Sequence, residues 1–433
     1  MQHWARTALS GGVVVALAAG LLAVGAAAGS PPAPDQPAAT AAADPRVARI
    51  AQLQTDLART PGRYTAWNEL GFAYLEQARV TSDPSFYAKA EGAFTRSLEE
   101  RPEDNDLALT GQASLAAARH DFAAALALTD RSLAINDYSA TTYAVRVDAL
   151  VELGRYDEAK DAAQRLLDLS PGGLDALTRG SYVLELSGDV TGARSLLEQA
   201  AEAAASPQDE AFARYYLGEI AFNTGDLAAA RAAYDTGLAA LPDDPQLVSG
   251  RARVLAAEGD AEAALADLRA VVERLPSPQH LVAYGELLEA TGQLDAAREQ
   301  YDVVRATQQL FAASGQDVDT ELALFEADHG TPAAAVASAE KAYAKRPRSV
   351  VTQDAYAWAL HRAGRSAEAL PVARDALRLG WRNPAMLARV GTIEAAAGDP
   401  AAARRLLEQA LGLNPAFSPL HAPRAAELLE SLR

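Results

Sequence analysis

The chain has 433 residues, a formal net charge of −18 and no cysteine. The lack of cysteine excludes disulfides, thiolate metal sites and cysteine nucleophiles. The negative charge opposes non-specific binding to nucleic acid or to an anionic membrane surface. Hydrophobic residues make up 49% of the chain but aromatic residues only 6%, and this alanine-rich composition favours thin layers of packed helices over a thick α/β core.

The first 30 residues have the features of an export segment. Arg6 and the α-amino group precede an apolar stretch from Ala8 to Ala28, whose end resembles a small-residue cleavage site. The same stretch just reaches the length of about 20 residues that an uncleaved membrane anchor needs. We therefore expect either a cleaved signal peptide or an anchor. In both cases the remainder is extracytoplasmic, secreted or anchored to the cytoplasmic membrane.

A proline- and alanine-rich linker over residues 31–44 comes next, and we expect order to begin near Pro45, where Asp44-Pro45 can start a helix. Residues 45–417 then form an array of helix–turn–helix units. The remainder, 418–433, contains one more apolar helix, which we expect to cover the open end of the array.

A cassette of one glycine with an alanine five residues later recurs along this array. Gly330, Gly364 and Gly398 are each 34 residues apart. A period in the mid-thirties is typical of stacked helical repeats and not of one globular core. Each glycine is expected to end a helix in the left-handed conformation. The cassette also occurs at Gly154, Gly188, Gly225 and Gly259.

Ten units follow when the chain is phased on these glycines. Prolines in the turns between units fit this phasing, because proline cannot continue a helix. The period slips near Thr81, between Gly188 and Gly225, and between Gly292 and Gly330, where we expect a bend or a protruding loop. The units are predicted to begin near Tyr64, Asp106, Ala140, Leu174, Ala211, Pro245, Pro278, Gln316, Val350 and Pro384.

The first unit carries the pattern W-x2-L-G-x2-Y, then A-x3-F and a closing proline, and the array resembles the tetratricopeptide repeat family over residues 47–415. The resemblance implies an all-α, right-handed superhelical solenoid of about ten repeats, with the first helices lining a concave groove. It also implies a non-catalytic scaffold that binds a peptide or helix of a partner protein. The matching residues of the first unit are Trp67, Leu70, Gly71, Tyr74, Ala90, Phe94 and Pro102.

Positions that usually face the groove in this family select one candidate binding surface on three successive units. Tyrosine and arginine are frequent binding hot spots, and Asn223 can pair with the backbone of an extended peptide. The competing interpretation is that Phe212, Tyr215 and Phe222 pack between helices. The candidate residues are Arg179, Tyr182, Phe212, Tyr215, Glu219, Phe222, Asn223 and Arg253.

A second candidate lies on one later helix. Trp358 and His361 are three residues apart and share a helix face with Asp354 and Arg362 nearby. The alternative is a packed tryptophan beside a solvated histidine. Asn68 occupies a possible carboxylate-clamp position, but the next units lack the lysine and asparagine that would complete such a clamp.

Chemical motifs are not found. The six histidines are not paired at metal-ligand spacing, and neither a phosphate-binding loop nor a nucleophile elbow occurs. We therefore expect no enzyme activity, no metal and no cofactor. The leading hypothesis is an exported scaffold that binds a protein or peptide in its groove. The alternative is a self-associating structural protein of the cell envelope.

Overall fold

A computed structural model of the chain describes residues 45–432, and helices account for nearly all of their regular structure. The predicted export segment (1–30) and the predicted linker (31–44) lie outside the described residues, as does Arg433. None of the described helices is both long enough and apolar enough to cross a membrane.

In the described part of the chain, ten antiparallel helix pairs, units 1 to 10, follow a single helix α1 and precede a single helix α22. The helix α1 spans Pro45–Arg59 and α22 spans His421–Ser431. The first helices of the units are α2 (Tyr64–Thr81), α4 (Asp106–Ala118), α6 (Ala140–Glu152), α8 (Leu174–Leu186), α10 (Pro207–Asn223), α12 (Pro245–Ala257), α14 (Pro278–Ala290), α16 (Asp319–His329), α18 (Val350–Arg362) and α20 (Pro384–Ala396). The second helices are α3 (Ser85–Glu100), α5 (Phe122–Ile135), α7 (Tyr156–Leu169), α9 (Val190–Glu202), α11 (Leu227–Ala240), α13 (Ala261–Arg274), α15 (Leu294–Ala313), α17 (Pro332–Lys345), α19 (Ser366–Ala376) and α21 (Pro400–Leu413).

The predicted all-α solenoid of ten units is confirmed. Eight first helices begin at the residue that the phasing predicts. The helix α10 begins at Pro207 instead of Ala211, because Ser206 caps it and Pro207 fits the first helical position. The helix α16 begins at Asp319 instead of Gln316, after the longer turn that follows α15.

In units 4, 5, 6 and 10 the cassette glycine and the aspartate that follows it form the turn inside the unit. At Gly188 the backbone is left-handed (φ 81°), which ends α8. The next residue, Asp189, accepts a hydrogen bond from the Gly192 N–H and caps α9. Gly330 is an exception to the predicted left-handed conformation, since its φ is −127°. The glycines that confirm the prediction are Gly154, Gly188, Gly225, Gly259, Gly292, Gly364 and Gly398.

Contacts along the solenoid join the N-terminal units to units six places further along the chain. The residues joined by side-chain hydrogen bonds are 192 to 197 positions apart in the sequence. Glu152 pairs with Arg346 at 2.9 Å, and the Val350 N–H donates to Tyr156 Oη at 2.8 Å. One superhelical turn therefore comprises six units, and successive turns touch.

We call this line of contacts the seam. It joins turns within units 2–5 to the turns that precede and follow units 8–10. Its residues on the N-terminal side are Arg119, His120, Glu152, Gly154, Tyr156, Glu185, Gly188, Phe222 and Gly225, and on the C-terminal side Asp317, Arg346, Arg348, Val350, Gly380, Trp381, Leu413 and Asn414.

The period slip before Gly330 supplies one end of the seam. It lengthens α15 to 20 residues and creates the turn over 314–318. In that turn the Asp317 N–H donates to the Arg119 carbonyl at 3.0 Å, and His120 Nδ1 lies 2.6 Å from the Asp317 carbonyl oxygen. The predicted loop therefore folds back onto unit 2.

Candidate functional site: the first helices of units 4 to 6

The candidate surface lies on α8, α10 and α12, the first helices of three successive units. Because the unit repeats at a near-constant period, equivalent positions on these helices stand side by side. Six of the predicted residues are half-buried, so each offers part of its side chain to a partner: Tyr182, Phe212, Tyr215, Glu219, Asn223 and Arg253.

Arg253 and Glu219 form the polar centre of this surface. Arg253 on α12 pairs with Glu219 on α10, and Tyr234 Oη donates to Glu219 Oε1 at 2.7 Å. The Arg253 guanidinium also lies over the Phe222 ring, 4.6 Å from its centroid. Both charges are thus held by neighbouring groups, and burial together with Glu219 raises the pKa of Tyr234 well above its usual range.

Aromatic side chains surround that centre. The Tyr215 and Tyr216 rings meet edge to face at 5.1 Å, and the Phe212 ring contacts Tyr216 in the same way at 5.0 Å. Burial raises the pKa of Tyr182 well above its usual range, and it also raises the pKa of Tyr215. These hydroxyls therefore remain protonated donors at physiological pH.

Three side chains on this surface retain unused hydrogen-bonding capacity. The hydroxyls of Tyr182 and Tyr215 and the amide of Asn223 make no hydrogen bond with any described residue. Asn223 is half-buried at the end of α10. Their polar atoms are not among the buried unpaired atoms of the described residues, so they reach solvent and are accessible to a ligand.

Arg179 and Phe222 do not belong to the accessible surface that the sequence predicted. Arg179 is only 2% exposed and is held by Asp148 at 2.7 Å and by Asp175 at 2.9 Å. Despite Arg179, burial raises the pKa of Asp148 to about 7. Phe222 is also 2% exposed, as the packing interpretation expected. Arg179 instead holds Asp148 and Asp175, and the Phe222 ring packs under Arg253.

The second predicted site is a packed cluster. Trp358 is 6% exposed; its indole N–H donates to Asp328 at 2.9 Å and its ring stacks on His361. Arg362 is exposed but donates to the Ala327 carbonyl at 2.9 Å. Burial and Arg362 lower the pKa of His361. The tryptophan is packed, as the alternative expected, but His361 is half-buried against it and lies 3.0 Å from Ser366 Oγ instead of being solvated.

Asp354 and Asn68 are also structural. Asp354 is buried and pairs with Arg389. Asn68 is buried and donates to Asn105 Oδ1 at 3.0 Å. The partial clamp position therefore serves packing between units 1 and 2.

Two residues of the surface were missed by sequence analysis. Glu185 occupies the same groove-facing position in its unit that Phe222 occupies in the next, so the phasing already contained it. Burial raises the pKa of Glu185 to about 7, and nearby Glu219 acts in the same direction. Trp381 donates its indole N–H to Glu185 at 3.2 Å. It comes from the next superhelical turn, which no repeat pattern reveals.

Comparison with known families agrees with the repeat geometry. Residues 145–210, 187–245 and 250–311 match one family model described as tetratricopeptide repeat. Residues 350–375 and 391–409 match a second model with the same description. The chain is a tetratricopeptide repeat protein. No curated protein matches it.

Several solved structures resemble this tetratricopeptide repeat protein at low identity. A tetratricopeptide repeat protein from Parabacteroides merdae is 16% identical, with 58% of this chain and 96% of that chain covered and a TM-score of 0.42. A thermophilic repeat protein of Thermus thermophilus is 22% identical, with 45% and 99% covered and a TM-score of 0.39. The human IFIT1 dimer with m7Gppp-AAAA is 12% identical, with 85% and 86% covered and a TM-score of 0.48.

The family supports a general role in protein–protein interaction, and its members are typically non-catalytic scaffolds. Among the described residues, no group of three or more histidine, aspartate or glutamate side chains is placed to hold a metal ion.

Proposed function

We propose that this tetratricopeptide repeat protein is a non-catalytic scaffold that binds an extended peptide segment of a partner protein on α8, α10 and α12. The observation that carries the proposal is the set of unpaired polar groups on Tyr182, Tyr215 and Asn223. All three are half-buried, so the protein bears part of their desolvation cost before any ligand arrives.

The chemistry of these groups suits a peptide backbone. A tyrosine hydroxyl can donate to a peptide carbonyl, and the Asn223 amide can both donate to a carbonyl and accept from an N–H. Arg253 is already paired with Glu219, while Glu185 lies at the edge of the surface. Acidic groups therefore outnumber free cations here, which favours a neutral or basic segment over an acidic one.

The test is capture of a partner by the full-length, C-terminally tagged protein from its native host. Tyr182→Phe with Tyr215→Phe removes only the two hydroxyls, so we expect capture to weaken by roughly tenfold or more, from about 1 kcal/mol per hydrogen bond. Tyr182→Ala with Tyr215→Ala also removes the aromatic area, and the loss should be larger.

Tyr138→Ala is the matched control, because Tyr138 is 71% exposed on a turn remote from this surface. Undiminished capture by the double alanine variant would overturn the proposal. Capture of untagged copies of the same chain, and of no other protein, would instead favour the self-associating envelope protein.

We further propose that the scaffold acts outside the cytoplasm, from the basic start and apolar stretch of residues 1–30. Mass spectrometry of the mature N-terminus after cell fractionation tests this. A start after Ala28 supports a cleaved signal, and an intact N-terminus in the membrane fraction supports an anchor. An intact chain in the cytoplasm would contradict export.

A further inference from the structure

The seam places backbone against backbone, and glycine makes this approach possible. A Cβ at Gly188 would lie 2.7 Å from the Gly380 carbonyl oxygen, and one at Gly154 would lie 2.6 Å from the Ser349 nitrogen. A Cβ at Gly225 would overlap the Leu413 carbonyl oxygen. The cassette glycines with positive φ that lie outside the seam, Gly259 among them, face open space. Glycine at the seam is therefore needed for contact between turns as well as for its own backbone conformation.

The forces across the seam are polar contacts around a small apolar patch, in which Val350, Leu379 and Trp381 pack against the core of units 2–4. Besides the Glu152–Arg346 pair, the Asn414 amide donates to the Phe222 carbonyl at 2.7 Å, and the Trp381 indole donates to Glu185. Within the solenoid each unit packs an extended apolar core against its neighbours. Repeats of this kind need only their neighbours for stability, so the seam can separate without unfolding a unit.

The seam also borders the candidate binding surface. Trp381 from the upper turn contacts Glu185 on α8, one helical turn from Tyr182. Asn414 contacts the backbone of Phe222 on α10, beside Asn223. The C-terminal turn of the superhelix thus covers the edge of the surface that the N-terminal turn presents.

We propose that the seam is a reversible latch: units 2–5 and units 8–10 separate along it as intact bodies, and this opening admits a partner peptide to α8 and α10. The opening is inferred from the seam contacts alone. Only the admission of a peptide rests on the proposed function.

The experiment measures the distance across the seam in the full chain without a partner. The chain has no cysteine, so Lys160→Cys and Arg382→Cys place two spin labels uniquely. Both sites are exposed; Lys160 lines a small cavity together with Leu379, three residues before Arg382. Pulsed electron resonance should show a dominant short distance and a minor long one.

The glycines provide a matched pair of variants. Alanine at Gly154, Gly188 and Gly225 should make the long distance dominant while the helical circular dichroism signal is retained. Alanine at Gly259, Gly292 and Gly364 imposes a similar backbone strain, because these glycines also have positive φ (77° to 91°), but meets no atom across the seam. This control should keep the short distance dominant.

A milder seam variant, Tyr156→Phe with Trp381→Phe, removes two seam hydrogen bonds without backbone strain and should increase the long-distance population. A short distance that persists in both seam variants would overturn the latch. Loss of helical signal in both would also overturn it, since the seam would then be part of the folding core. A latch that opens while the Tyr182/Tyr215 variants still capture partner would disprove the binding surface alone.

Discussion

Single residues connect the scaffold to the candidate surface, and Tyr234 is the clearest case. Its ring is fully buried between Gly218 of the same unit and Gly250 of the next unit. A Cβ at either glycine would overlap the ring. Because the ring has only this space, its hydroxyl is held against Glu219. A position that the family pattern assigns to packing therefore also orients a charged group of the surface.

Replacing Gly218 tests this packing. We expect Gly218→Ala to destabilise the protein by about 1–3 kcal/mol, because a well-packed core must shift to accept a methyl group. Gly92→Ala is the control: Gly92 is also helical, but it is exposed and has no atom within 4 Å of its Cβ position. There alanine should stabilise by about 0.5–1 kcal/mol. Urea denaturation followed by circular dichroism measures both; equal stability of Gly218→Ala and wild type would contradict the packing argument.

Glu185 predicts a pH-dependent stability. Burial raises its pKa from 4.5 to about 7, so the folded state binds this proton more tightly than the unfolded state. The contribution of Glu185 to stability is therefore undiminished below about pH 4.5, falls as the pH rises towards 7, and stays low above that value. Glu185→Gln should stabilise the protein at pH 8, on the order of 1–2 kcal/mol, and have little effect at pH 4.5.

A glutamate with the opposite shift provides the control. Arg155 lowers the pKa of Glu158, which is fully exposed on α7. Its stabilising effect is present above the ordinary carboxyl pKa and is lost in acid, so Glu158→Gln should slightly destabilise the protein at pH 8. Thermal melts of Glu185→Gln and Glu158→Gln at pH 4.5 and pH 8 measure these opposite effects on stability. An effect of Glu185→Gln that does not change with pH would contradict the buried carboxyl.

At the scale of helices, the sequence predicts what is local. The glycine–aspartate turn and the interunit prolines determine where helices begin and end, so eight of ten first helices could be placed to the residue. The signals fail where a second effect competes: Ser206-Pro207 starts α10 early. Burial was harder to predict, because Arg179 and Phe222 each stand one helical turn from an accessible residue on the same helix, Tyr182 and Glu219 respectively. The exposure of a side chain on α8 or α10 depends on how the neighbouring units pack against it.

The last helix shows how an element stabilises one end only. The helix α22 buries Ala422, Ala425 and Leu429 against α20 and α21. In a linear array each unit is stabilised by its neighbours, so damage at one end should stay there. A substitution near Leu429 should therefore leave the local stability near Tyr64 unchanged, and the reverse should also hold.

We expect Leu429→Ala to cost about 2–3 kcal/mol locally, from lost apolar contact and the cavity left behind. Hydrogen exchange should then speed up in α20 to α22 and remain unchanged in α2 to α5. Glu427→Ala, at an exposed position of the same helix, is the control and should change neither region. Faster exchange along the whole chain would contradict independent ends.

The number of units per superhelical turn is a property of the whole molecule that the repeat signature does not predict. The number of units per superhelical turn depends on small angles between neighbours that add up over six units, whereas the sequence pattern constrains only adjacent ones. The seam closes because the two edges have complementary side chains. Arg346 and Arg348 lie on one edge, and Glu152 and Glu158 lie on or beside the other.

Two edges of the superhelix have no partner: the turns between the early units and the turns within the late units. These free edges lack the complementarity of the seam. If a second copy stacked end to end, it would bring the turns between the early units against the turns within the late units. Both edges carry carboxylates. Asp104, Glu258, Asp295 and Asp399 are paired with arginines, but Asp137, Asp243 and Asp260 form no ion pair with a described residue, and such charges repel each other within the Debye length of about 8 Å at physiological salt. The carboxylates on the first edge include Glu103, Asp104, Asp137 and Asp243, and those on the second include Glu258, Asp260, Asp295 and Asp399.

We therefore expect a monomer at roughly 20 μM and physiological salt, because like charges at a potential contact oppose association and a net charge of −18 adds to the repulsion. Sedimentation velocity measures this directly. Asp137→Lys with Asp243→Lys makes one free edge resemble the basic edge of the seam, and it should produce concentration-dependent association that salt weakens. Asp56→Lys with Asp235→Lys changes the net charge equally on helix surfaces and should stay monomeric. Oligomers of the unaltered chain at physiological salt would contradict the argument and favour the self-associating envelope protein.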